Sequence, residues 1–201
     1  RFLPEGMQLF GGVDDELLGL ALQMLREIPP RSRESSAGGW VGAEQFAARA
    51  RDEIDWFREQ HPGVSATVEV RPDVIGLIVS RGNLLVSART RVAASRVEAL
   101  IQHEVGTHVV THANGRAQPF RQLQVGLPDY EELQEGMGVL AEYLVGGLTR
   151  PRMRLLAARV LAVEQMLDGA TFQEVFHELD SEHHFERRIA FTIAMRVFRG
   201  G

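Results

Sequence analysis

Cysteine and lysine are both absent from this chain of 201 residues, so all 22 basic side chains are arginine. The first absence removes thiol nucleophiles, disulfides and cysteine metal sites. The second removes a Schiff-base lysine and a Walker-type phosphate loop. No apolar run approaches the roughly 18 residues of a membrane helix, and no signal-peptide pattern opens the chain. Basic blocks are missing too. With a net charge of -5, the chain lacks the electrostatic footprint of a nucleic-acid binder. These gaps point to a cytoplasmic protein with neither nucleic acid nor membrane as partner. They leave His, Asp, Glu, Tyr, Arg, Ser and Thr for chemistry.

What is present is ordinary for a globular chain: 44% hydrophobic and 24% charged residues, enough for a sizeable core. The chain begins at Arg1 rather than Met and ends on Gly200-Gly201, which reads as a fragment of a longer protein. A single domain over 1–201 is expected, with a helical N-terminal part (1–62) and a sheet with further helices (63–201).

Apolar residues recur with helical period over 13–28, and Pro29-Pro30 ends that helix. A Pro/Ser/Gly loop follows over 29–42. Its Trp40 reads either as a loop anchor or as a ligand contact. A second helix is expected over 43–60, with Phe46, Ala47, Ala50, Ile54 and Phe57 on one face. Strict alternation over 64–71 predicts a strand, and 76–80 and 84–87 flank a hairpin turn at Arg81-Gly82-Asn83. Ser95 and Glu98 form a capping-box pattern, which predicts a helix from Arg96 to a stop at Asn114-Gly115. Further helices are expected over 129–148, from Thr149-Pro151 to Asp168, from a second capping box at Thr171 and Glu174 to Leu179, and over 182–198. Helices, a small sheet, then helices make an α+β fold that is predominantly α.

The helix opened at Ser95 carries His103-Glu104-Val105-Gly106-Thr107-His108. Hydrolytic zinc sites use two imidazoles on one helix with a glutamate between them to take a proton from water, normally as HExxH. Here the spacer has one residue more. Residues four apart on an α-helix are offset by about 40°, and five apart by about 140°. His103 and His108 therefore converge only if the helix absorbs the extra residue, as a π-bulge does, and Gly106 lies in the spacer. A regular helix offers a rival stripe, Glu104, His108 and His112 at i, i+4 and i+8, and a polar face with no metal is a third reading. A third ligand is sought on the next helix, where Glu135 precedes Gly136 and Gly138. Two glycines in a helix interior suggest close approach to another helix, which competes with plain solvation of Glu135. Glu142, seven residues on, is a candidate partner for a ligand histidine.

Taken together, HEVGTH, NGRAQP, ELQEGM and VLAEYL resemble the bacterial family named for its QEGLA motif, which is related to the microtubule-associated tyrosine carboxypeptidases of animals. The resemblance runs from the hairpin at Ser80-Arg81-Gly82-Asn83 to Arg196-Val197-Phe198-Arg199-Gly200. It implies a compact gluzincin-like fold, with the sheet before the HExxxH helix and a Glu-bearing helix after it. It implies zinc held by His103, His108 and Glu135, with Glu104 as the catalytic glutamate. His112 matches no motif histidine. Met137-Gly138 stands where the name motif has Leu-Ala, while Gln134-Glu135-Gly136 is intact.

The expected activity is hydrolysis of a peptide or protein C-terminus by water activated on Zn2+, with Glu104 as general base. An endopeptidase or amidase, and a non-catalytic regulator that kept the fold, are the alternatives. A carboxypeptidase must hold a terminal carboxylate, and arginine does so best. Arg116, Arg196 and Arg199 are the candidates, against surface salt bridging; the resemblance favours the latter two. Tyr130, Tyr143, His183, His184 and Arg199 are candidates for stabilising the oxyanion. The oligomeric state is open.

Overall fold

The structure, a computed structural model, describes residues 12–30, 38–127 and 130–199. It is α+β and mostly helical. Its contacts divide the chain into two compact units, 35–148 and 1–34 with 149–201.

In the 35–148 unit, β1 (Trp40–Gly42) leads into α2 (Ala43–Gln60), while α1 (Asp15–Glu27) belongs to the other unit. Three strands follow: β2 (Val68–Arg71), β3 (Leu77–Ser80) and β4 (Asn83–Ser87). They form a sheet ordered β2-β4-β3, with β4 central, parallel to β2 and antiparallel to β3. A fifth strand, β5 (Arg91–Ala93), pairs antiparallel with β1. Trp40 is thus a strand residue, half-exposed, with the Arg91 guanidinium 5.4 Å above its ring. The alternation over 64–71 is real as burial, since Val64, Ala66 and Val68 all face the core. Only Val68–Arg71 pairs as strand. The preceding carbonyls are taken up by a side chain, Arg58, which donates to Val64 and Ala66 at 3.2 and 3.1 Å.

The central helix follows a 3-10 turn at Ala94–Arg96. It runs as α3 (Val97–His103), a π-helical segment (Glu104–Val109) and α4 (Val110–Arg116). Two expectations are corrected here. The Ser95 capping box does not form, because the 3-10 turn moves the helix start to Val97 and Arg96 becomes its cap without a side-chain bond. Glu98 instead accepts from Gln102 Nε2 at 3.1 Å. The helix ends at Arg116, one residue past Asn114-Gly115, but not through a left-handed glycine cap. Gly115 is buried inside α4, and a Cβ there would lie 2.1 Å from the Leu123 carbonyl oxygen. Leu123 belongs to a short α5 (Gln122–Val125), and α6 (Tyr130–Leu144) completes the unit.

Ile101, Val105 and Val109 are all buried, spaced by four through the π segment, and pack with Phe46, Ile54, Leu84 and Val86 into one core. Each such side chain contributes about 1.5–3 kcal/mol by leaving water. This apolar stripe fixes the rotation of the central helix and turns its histidines toward α6.

The other unit packs α1 (Asp15–Glu27) on α7 (Arg150–Leu167), with α8 (Phe172–His177), a second π segment (Glu178–Glu182) and α9 (Arg187–Arg199). Asp14, Thr149 and Thr171 cap three of these helices through their side chains. The Thr171–Glu174 capping box is complete. Buried Arg154 donates to the Leu25 and Ile28 carbonyls at 2.7 Å each, satisfying the open end of α1. Among the described residues, no helix is long and apolar enough to cross a membrane.

Candidate metal centre

His103 is the last residue of α3 and His108 sits late in the π segment. The Val110 N–H bonds back to the Val105 carbonyl, five residues earlier, so one extra residue is held between the histidines. The rings come together edge to face, their centroids 5.1 Å apart. Thr107, buried beside them, donates its hydroxyl to the Gln102 carbonyl at 3.1 Å. Gly106 has no left-handed torsion. What it supplies is room, since a Cβ would lie 2.6 Å from the Gln102 amide oxygen.

Helix α6 closes over the pair. Glu135, Gly138 and Glu142 lie at i, i+3 and i+7, on one face. Gly138 rests on the His103 ring: a Cβ there would be 2.6 Å from Cε1 and 2.8 Å from each ring nitrogen. The close approach expected from paired glycines is therefore made by Gly138, while Gly136 meets nothing within 4 Å.

The two carboxylates on either side of Gly138 address the two nitrogens of His103. Glu142 Oε1 lies 3.0 Å from Nδ1 and Glu135 Oε2 lies 3.7 Å from Nε2. Glu135 also reaches His108, with Oε1 3.4 Å from Nε2. Glu142 is fully buried. Its second oxygen accepts from Arg96 Nη2 at 2.7 Å, and Arg96 also donates to the Gly147 carbonyl. Arg96 and Glu142 hold the Nδ1–H of His103, which leaves Nε2 as the nitrogen facing Glu135.

One ligand atom from each of His103, His108 and Glu135 lies within 4.8 Å of the others. The two oxygens of Glu135 take one imidazole each, Oε1 at 3.4 Å from His108 Nε2 and Oε2 at 3.7 Å from His103 Nε2. Two imidazoles and a carboxylate without thiolate suit a divalent transition ion, so these three residues fit one. The histidine side chains are nearly buried while that of Glu135 is 66% exposed, which leaves the cluster open to solvent on one side. Glu104, half-buried, heads the π segment.

Electrostatics separates the two rings. Burial pushes His103 down, but its hydrogen bonds to the Glu135 and Glu142 carboxylates and the charge of Glu104 outweigh it, raising the pKa to about 9. His108 is held below its usual value by burial, helped by His103 and opposed by Glu135. The carboxylate flanks of His103 thus gather positive charge at this point, whether a proton or a cation.

His112 does not join the cluster. It turns to the β3–β4 hairpin, where a Cβ on Gly82 would lie 2.3 Å from its Nδ1. The rival stripe of Glu104, His108 and His112 is therefore not assembled. Arg116 donates to Ser65 at 2.9 Å. Tyr130 packs its ring on Gly126, and Tyr143 is exposed on α6. His184, with φ 53°, and the α9 residues Arg196 and Arg199 are exposed parts of the other unit. Arg96 has no signal in the sequence: its partner Glu142 lies 46 residues away.

The fold and site together define an α+β protein built around a His–His–Glu cluster that fits a divalent cation. A family model described as microtubule-associated tyrosine carboxypeptidase matches residues 1–201, and the chain belongs to that family. Neither a curated protein nor a solved structure matches it.

Proposed function

We propose that this protein is a zinc-dependent peptide hydrolase that removes a residue from a peptide or protein C-terminus in the cytoplasm. The observation that carries the reading is the convergence of His103, His108 and Glu135 beside Glu104. Membership of a family described by a carboxypeptidase activity supplies the substrate class. Within that family we assign the chain to the bacterial QEGLA-motif group, on Gln134-Glu135-Gly136, and read the fold as gluzincin-like.

In this reading His103, His108 and Glu135 hold Zn2+. When bound, the ion polarises the scissile carbonyl and lowers the pKa of a water from 15.7 to about 7. The chain's own residues do the rest. Glu104 takes the proton of the attacking water and delivers it to the leaving amine. Glu142, itself held by Arg96, keeps His103 in the tautomer that presents Nε2. Tyr130, Tyr143 and His184 remain the candidates for the charge that develops on the carbonyl oxygen. Arg116, Arg196 and Arg199 are those for a terminal carboxylate.

The test joins metal analysis to one substitution. Purified protein should hold about one zinc per chain. Glu104→Gln should keep that zinc and lose about 10²–10⁴-fold in peptide hydrolysis. Unchanged hydrolysis removes Glu104 from the mechanism, and a chain that binds no zinc ends the hydrolase reading.

A further inference from the structure

A second concave site lies on the same helix, beyond the cluster. A cavity of about 220 Å³ opens between the β3–β4 turn and α4, lined among others by Ser65, Arg81, Asn83, His112 and Arg116. That is several times the about 30 Å³ share of one water and below the about 300 Å³ where drug-sized sites begin. It is the size for one side chain or chain terminus. Its wall holds two guanidinium groups and an imidazole and no carboxylate. Among the described residues neither Arg81 nor Arg116 is ion-paired with an acid, and Arg116 donates to the Ser65 hydroxyl. Asn83 commits its side-chain oxygen to Thr67 N at 2.9 Å and Oγ1 at 3.1 Å, so its remaining polar group is an NH2 donor.

The turn that brings Arg81 here is not the cheapest available. Ser80 pairs with Asn83 across a two-residue loop, and both loop residues have positive φ, Arg81 at 51° and Gly82 at 78°. Asn or Asp is the usual first residue of such a loop. A longer side chain in the left-handed region costs about 1–2 kcal/mol. Gly82 is required for a different reason, since any side chain would run into His112. The turn therefore presses a strained arginine and an imidazole onto one cavity, and strain of this kind gathers at binding sites.

We propose that this cavity binds a carboxylate of the peptide substrate through Arg81, His112 and Arg116. The proposal rests on the peptide-hydrolase reading above. His112 and Arg116 lie four and eight residues beyond His108, about 6 and 12 Å along the helix. An extended peptide covers about 3.3–3.6 Å per residue, so the cavity lies about two to four residues from a bond at the cluster. A terminal carboxylate and an acidic side chain can each present the same group at that range. Either one accepts hydrogen bonds from both guanidiniums in the geometry that arginine favours.

The experiment reads binding without turnover, on the zinc-loaded Glu104→Gln protein. The probes are a fluorescent hexapeptide with one internal glutamate, its glutamine counterpart, and both with amidated termini. Peptides that carry the recognised carboxylate should bind about ten-fold or more tighter than the amidated glutamine peptide, and Arg81→Gln with Arg116→Gln should abolish the difference. Loss on Glu→Gln assigns the side chain, and loss on amidation assigns the terminus. Arg116→Glu should reverse the preference toward a peptide with arginine in place of glutamate. Equal binding of all four peptides, or a preference that survives both arginine substitutions, overturns the proposal. A parent chain that hydrolyses peptides while the binding is indifferent sinks this proposal alone. An arginine-dependent preference in a chain without zinc or hydrolysis sinks the hydrolase reading alone.

Discussion

His103 Nδ1 and Glu142 Oε1 meet at 3.0 Å with the carboxylate fully buried and the imidazole nearly so, and Arg96 closes the other side of the carboxylate at 2.7 Å. A buried carboxylate between a guanidinium and an imidazole is satisfied only while both partners stay. It fixes which nitrogen of His103 faces Glu135, and so it supports the candidate metal cluster although it supplies no ligand.

Glu142→Ala should therefore do two separable things. Metal affinity should fall about 10–100-fold, as when the outer partner of a ligand histidine is removed. Stability should fall by about 1–3 kcal/mol, because the nearly buried Arg96 loses its carboxylate and keeps the Gly147 carbonyl. Glu142→Gln keeps an acceptor for Nδ1–H, so it should lose less affinity than Glu142→Ala. Chelator competition and denaturant unfolding measure the two effects. Undiminished zinc affinity in Glu142→Ala would leave Glu142 a structural residue only.

Gly138→Ala probes the contact between α6 and the His103 ring. The new methyl would lie 2.6–2.8 Å from three ring atoms, and the ring cannot swing away while Glu142 holds Nδ1. Helix α6 has to retreat, carrying Glu135 with it. We expect a loss of about 1–3 kcal/mol from overpacking, together with weaker zinc binding. Wild-type melting and affinity in Gly138→Ala would show that the spacing is slack here.

Metal uptake should release protons unevenly. Near pH 7 His103, raised to about 9, carries a proton that a cation must displace, whereas His108, held low by burial, is already neutral. Calorimetry of zinc binding in buffers of different ionisation enthalpy should find about one proton released per ion. The metal-stripped protein follows the same sign. Its His103 pKa lies above the unfolded value of about 6.5, so the stabilisation is complete below that pH and lost as pH rises through 9. Stability of the stripped protein that is flat or rising over pH 6.5–9 contradicts this assignment.

Where structure follows from neighbours in sequence, it was legible. The α2 bounds, the hairpin turn and the Thr171–Glu174 cap are local balances of period, turn chemistry and side-chain bonding. Gly115 shows the limit. Asn-Gly spells a helix stop, yet this glycine is inside α4 because the Leu123 carbonyl needs its space. Ser95 fails as a cap because pairing of β5 with β1, two three-residue strands distant in sequence, sets where the chain enters the helix. At the candidate site the sequence marks His103, Glu104 and His108 as a motif and Glu135 through its glycines, and the fold brings His103, His108 and Glu135 together. Arg96 and the Arg81–His112–Arg116 cavity depend on contacts between distant segments, which no local pattern announces.

The π segment yields the last prediction. It holds one residue more than an α-helix would between His103 and His108, yet Ile101, Val105 and Val109 on its far face stay in register with the core. The segments on both sides are α-helical. Deleting Gly106 should then let the whole helix become α. Ile101, Val105 and the old Val109 would stand at i, i+4 and i+7, the ordinary apolar stripe, and the histidines at the HExxH spacing. We expect zinc affinity within about ten-fold of the parent. Stability should be unchanged or higher by up to about 1 kcal/mol, since a helical glycine is gone. Deleting Ala99 is the contrasting case. It lies in regular α-helix, so its loss turns everything on one side by about 100° and should cost the fold. If the Gly106 deletion unfolds the protein as the Ala99 deletion does, the π turn is an integral part of the packing and not an absorbed insertion. Circular dichroism melts and zinc titration of the two deletions decide between these.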